Sequence, residues 1–115
     1  MQLQWNKCAG GAWCLLTEID LRELDSHGVF VIWRPGEDRP SPVLYVGRGT
    51  LREEIAACRR DPVLGKSPGS RVTWATVDRR DVDGVAVYLY QQLRPLWGEV
   101  PRPAPARPVN LPLTA

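Results

Sequence analysis

Arg48 and Arg52 lie where an apolar run gives way to a helix start, in Val43-Leu44-Tyr45-Val46-Gly47-Arg48-Gly49-Thr50-Leu51-Arg52. Two guanidinium groups beside the free N–H groups of a helix N-terminus make an anion site suited to phosphate. The same residues also serve as ordinary surface charges. Gly47-x-Gly49 opens like a dinucleotide loop, but Arg52 stands where the third glycine belongs and no parallel βαβ pattern follows, so that chemistry is not expected. Asp83, at the start of a second helical pattern, is a weak candidate metal carboxylate and more simply a helix cap.

The remaining residues with chemistry are few. There are three cysteines, Cys8, Cys14 and Cys58, and one histidine, His27. Five residues separate Cys8 from Cys14, outside the usual zinc-knuckle spacing. An odd count argues against a disulfide framework and favours reduced, structural thiols. No metal-ligand cluster is expected.

These residues must be positioned by a small set of elements. Val29 to Trp33 is a near-continuous apolar run that suits a buried central strand. Arg34 to Pro42 is too rich in proline to continue it, and Val43 to Val46 returns as an antiparallel partner. Gly47-Arg48-Gly49 predicts a tight strand-to-helix turn. Thr50-Leu51-Arg52-Glu53 reads as a capping box, with Thr50 as N-cap and Glu53 reaching back. Leu51, Ile55 and Cys58 fall on one helical stripe, so Cys58 is expected to be buried, and Pro62 ends the helix. Arg71 to Val77 alternates as a third strand. Asp81 or Asp83 caps a second helix with Val82, Val85, Ala86, Leu89 and Leu93 on its inner face and Pro95 as its stop. Glu54 and Glu99 are expected to face solvent.

The fold class expected is α+β, a small three-stranded antiparallel sheet flanked by helices. The chain of 115 residues reads as a single domain with a core of about residues 28–95. An N-terminal extension, 1–27, carries Trp5 and Trp13, which read mainly as core or cover. A short helical turn is expected near Ile19 and Leu24. The tail, 100–115, holds five prolines and cannot form regular structure, although Val109-Asn110-Leu111 is apolar enough to pack.

Net charge is +2, with three basic and six acidic residues over 1–38 and twelve basic and seven acidic over 39–115. That asymmetry permits nucleic-acid binding without requiring it. No apolar run approaches the roughly 18–20 residues of a membrane span, and no signal-peptide pattern opens the chain. No membrane partner and a cytoplasmic location are expected.

Gly28-Val29-Phe30, Tyr45-Val46-Gly47-Arg48 and Leu51-Arg52, in the order strand–loop–strand–helix–strand–helix, resemble the GIY-YIG nuclease superfamily from about Gly28 to Pro95. The flanks around Trp5, Cys8, Trp13 and Val109-Asn110-Leu111-Pro112 look like those of one small branch of it. The resemblance implies one-metal phosphodiester hydrolysis, with a tyrosine helping to activate water, an arginine steadying phosphoryl charge and a helix glutamate holding Mg²⁺. Tyr45 and Arg52 match catalytic positions, and Arg48 and Arg52 match phosphate-binding ones. Three positions depart. Phe30 replaces the first-motif tyrosine, Cys58 falls near a position where many members carry histidine, and Ala86 stands where the metal glutamate should project. The resemblance therefore implies a catalytically impaired domain without a resident metal, keeping a surface for DNA, RNA or another phosphate-bearing partner. The alternatives are an active Mg²⁺-dependent endonuclease with a relocated carboxylate, and a non-enzymatic module that binds another protein.

Overall fold

A computed structural model describes residues 1–35, 42–66 and 69–112. Its strands are β1 (Cys14–Leu15), β2 (His27–Trp33), β3 (Val43–Thr50) and β4 (Arg71–Thr76), and its helices are α1 (Leu51–Arg60) and α2 (Val82–Leu93). Short 3₁₀ turns occupy Ala9–Gly11 and Leu21–Glu23. The sheet has four antiparallel strands in the order β1-β4-β2-β3, not the three expected. The extra strand is the two-residue β1, which pairs Cys14 with Val72 and Leu15 with Arg71. So short a strand shows no alternation of its own, and only its pairing with β4 defines it.

β2 is central and buried on both faces, as its continuous apolar run requires. On one face Phe30 and Ile32 join Leu51, Ile55 and Cys58 of α1 in a cluster that also takes in Leu16, Ile19 and Leu24. On the other, Val29, Val31 and Trp33 meet Val82, Val85 and Leu89 of α2. Each helix thus covers one face of the sheet.

The β3–α1 junction differs from the expected turn. β3 stays in register with β2 through Gly47, Arg48 and Gly49 to Thr50, which lies opposite His27. The ladder continues into the helix, where the Leu51 N–H donates to the Ser26 carbonyl at 3.1 Å. Thr50 is the N-cap by position, but its side chain makes no capping bond, so the capping box does not form. Thr50 is at the same time the last residue of β3, paired with His27 across the ladder, and that pairing rather than a side-chain cap fixes the helix start.

Cys8 and Cys14 are joined in a disulfide, and only Cys58 is a free thiol. This corrects the expectation of reduced thiols. Gly10 and Gly11, both with φ of +73°, fold the intervening loop back and bring the two sulfurs together. The bridge fixes β1 beside β4, and Trp13 then sets its ring edge-on to Trp33 with centroids 5.3 Å apart.

The N-terminal segment and the proline-rich tail are bound to each other through Asn110. Its side-chain oxygen accepts from the Leu3 N–H at 2.6 Å and its amide donates to the Leu3 carbonyl at 3.0 Å. The Trp5 indole N–H donates to the Asn110 carbonyl at 3.0 Å. Val109 is buried against the α2 face of the core. Gly84 allows the tail to cross α2, since a Cβ there would lie 2.6 Å from the Pro105 carbonyl oxygen. No helix among the described residues is long and apolar enough to cross a membrane.

Candidate functional site

Because β3 is an edge strand, its outer side is open to whatever the chain supplies after α2. Arg94 ends that helix in the left-handed conformation, at φ of 47°, and turns the chain back along β3. The Leu96 and Trp97 N–H groups then donate to the Val43 and Leu44 carbonyls, both at 3.0 Å. Gly98, at φ of +104°, passes directly over the Tyr45 ring, where a Cβ would approach to 2.8 Å. The result is a cavity of about 490 Å³ that gathers Tyr45, Arg48, Glu54, Ala86, Gly98 and Glu99.

Three of the residues singled out by sequence meet here. Tyr45 is half-buried, with its ring stacked on that of Phe30 at 5.8 Å. Burial first, and then the nearby acidic groups of Cys58, Glu54 and Glu99, raise its hydroxyl above the usual range. Tyr45 is therefore a neutral hydrogen-bond donor and acceptor at ordinary pH, not a phenolate base. Arg48 reaches across to α2 and pairs with Asp83 at 3.2 Å, each side chain about one-third exposed. Ala86 is buried in the cavity wall and offers a methyl group.

Arg52, Phe30 and Asp83 do not line the cavity. Arg52 projects from the first turn of α1 toward the 3₁₀ turn, donating to the Leu21 and Arg22 carbonyls at 3.0 and 2.9 Å. Phe30 is fully buried behind Tyr45, with its ring tip over Gly47. Asp83 is held by Arg48 rather than serving as the helix cap; Asp81 occupies that position and pairs through its side chain with Arg107 at 3.4 Å.

Sequence reasoning placed Glu54 and Glu99 in solvent. Both are exposed, but both also line the cavity, and neither has an ion-pair partner among the described residues. Gly98 was missed. Its one sequence signal is a glycine directly after Trp97 in a stretch that reads only as the end of a helix. With Arg48 neutralised by Asp83, the two free carboxylates give the cavity a negative balance, which opposes a phosphodiester inside it. For a metal, two carboxylates and a methyl group fall short of a hard cation's oxygen shell. No group of three or more His, Cys, Asp or Glu side chains suited to a metal occurs among the described residues.

Cys58 is buried on the inner stripe of α1. Burial, followed by the charges of Asp61 and Glu54, pushes its thiol from its ordinary 9.0 up to about 12. The neutral thiol is the form the fold favours, so its contribution to stability is complete below pH 9 and is lost as pH rises toward 12. Alkylation by iodoacetamide at about pH 8 is expected to be at least a hundredfold slower in the folded protein than in urea-unfolded chain, because the thiolate is the reactive form. Equal rates would show that Cys58 is accessible and ionised.

Comparison with protein-family models, with curated proteins and with solved structures finds no match to this chain.

Proposed function

We propose that this chain is a GIY-YIG-like domain that has lost phosphodiester cleavage and acts by binding nucleic acid. The observation that carries the reading is the cavity wall at Ala86. From β2 onward the elements run strand, strand, helix, strand, helix, the order expected from the motifs. Tyr45, Arg48 and Ala86, which the resemblance puts at one site, line one cavity although 41 residues separate the first from the last. At Ala86, where the resemblance calls for the metal carboxylate, that cavity carries a methyl group, and its tyrosine, Tyr45, has a hydroxyl whose neutral form burial favours. Behind Tyr45, the buried Phe30 ring has no hydroxyl to orient water.

Supercoiled plasmid incubated with Mg²⁺ or Mn²⁺ is expected to remain intact, while short oligonucleotides bind at low salt and are released as salt rises. Glu54 and Glu99 give the competing reading, a cleaving enzyme with relocated carboxylates, its specific prediction. Metal-dependent nicking abolished in Glu54→Gln or Glu99→Gln, with the fold intact by circular dichroism, would establish that reading and overturn ours. Absence of both cleavage and low-salt binding would leave a protein-binding module.

A further inference from the structure

We infer that single-stranded nucleic acid is held at the end of the sheet where β2 leaves and β3 enters, and not in the Tyr45 cavity. The inference rests on the nucleic-acid reading above and gives it a location. A row of chain segments crosses this end. Trp33 lies opposite Arg71 of β4 on one side and Val43 of β3 on the other, and Arg71 in turn lies opposite Leu15 of β1. Beyond Val43 the row continues to Leu96 and Trp97, whose N–H groups bond to the outer side of β3. From the strand spacing, the row from Trp97 to Arg71 is about 14 Å long, the reach of a few nucleotides.

The side chains along it suit a flexible polyanion. Arg34 follows Trp33 and is exposed, Arg71 is partly exposed, and Arg94 is exposed two residues before Leu96. Lys7 is linked to the same end, with its ammonium 4.3 Å from the centre of the Trp13 ring, which packs on Trp33. None of these four cations has an ion-pair partner among the described residues, in contrast to Arg22, Arg48, Arg80 and Arg107. Trp97 is 41% exposed and Leu96 59%, which leaves part of the indole open to solvent. Of the acids among the described residues, Glu18 lies near Leu15 and Glu99 follows Trp97 by two residues. Among the described residues the four cations outnumber these two acids, so this end is positive, whereas the Tyr45 cavity is negative.

Unpaired cations follow a backbone, and an exposed aromatic ring takes a base. A duplex keeps its bases stacked inside, so Trp97 is useful only to a single strand. These two contributions are separable. Cations act through counterion release and set the salt dependence, whereas stacking changes affinity without changing that slope.

The test is fluorescence anisotropy with a labelled oligodeoxythymidylate of about 12 nucleotides, a length within the range a single-strand groove covers. Arg34→Ala/Arg94→Ala is expected to weaken binding at least tenfold at low salt and to flatten the log–log salt slope by about 1.4. Arg79→Ala/Arg80→Ala removes the same charge from exposed positions beyond the opposite end of β4 and is expected to change affinity less than threefold. Trp97→Ala is expected to lose about tenfold with the slope unchanged. If wild type binds but the first pair is no weaker than the second, this location is wrong while the nucleic-acid function stands. If wild type does not bind at low salt, both fail.

Discussion

Gly28→Ala is expected to cost about 3 kcal/mol, the upper end of what overpacking does. Gly28 lies in the central strand opposite Thr76, and a Cβ there would fall 2.0 Å from the Ala75 carbonyl oxygen and 3.0 Å from the Thr76 Cα. Both obstacles are backbone of the paired strand. Neither can retreat without breaking the β2–β4 ladder that joins the two cores. A loss of this size is a large part of the roughly 5–15 kcal/mol that holds a small domain together. Urea unfolding followed by circular dichroism checks it. A loss below about 1 kcal/mol would mean that β2 and β4 separate more easily than their register implies.

The second large effect lies in the pairing of the two motifs. Phe30 sits opposite Gly47, and a Cβ on Gly47 would lie 2.2 Å from the tip of the Phe30 ring and 2.8 Å from the Tyr45 ring. Phe30 has no solvent exposure, so its ring cannot swing away. Gly47→Ala is expected to cost about 2–3 kcal/mol. Phe30→Ala, which empties the core behind Tyr45, is expected to cost about 3–5 kcal/mol. The double substitution places the new methyl in the space the ring vacated, so its cost should fall short of the sum by at least about 1 kcal/mol. Additive losses would mean that the two residues do not share this space.

That contact also explains which parts of the site were legible beforehand. The apolar run of β2, the return of β3 and the Leu51, Ile55, Cys58 stripe are local patterns, and each became the element its period implied. Gly47 was recognisable as a motif residue, but its reason was not, because the obstacle is a ring 17 residues away in sequence. The capping box failed for a similar cause. Thr50 and Glu53 have the right spacing, yet Thr50 ends β3 paired with His27, 23 residues away in sequence.

Charges were the least legible. Arg48 and Arg52 look equivalent in sequence, four residues apart at one junction. Folding sends the first to Asp83 on α2 and the second to the carbonyls of a 3₁₀ turn. Glu54 and Glu99 look like ordinary solvated acids until Gly98 carries the chain back across Tyr45.

The sequence by itself determined the elements from β2 onward, their order, the two-faced burial of β2, and the residue types Phe30 and Ala86 at positions where the resemblance asks for a tyrosine and a glutamate. Those follow from covalent chemistry and from the periods of strand and helix, which are properties of neighbours along the chain. Only the tertiary structure decided the fourth strand, the Cys8–Cys14 bridge, the partner of each arginine and the opposite charge of the Tyr45 cavity and the Trp97 end. Each depends on groups distant in sequence arriving within a few ångströms, and an ion pair or a steric clash exists only at that range.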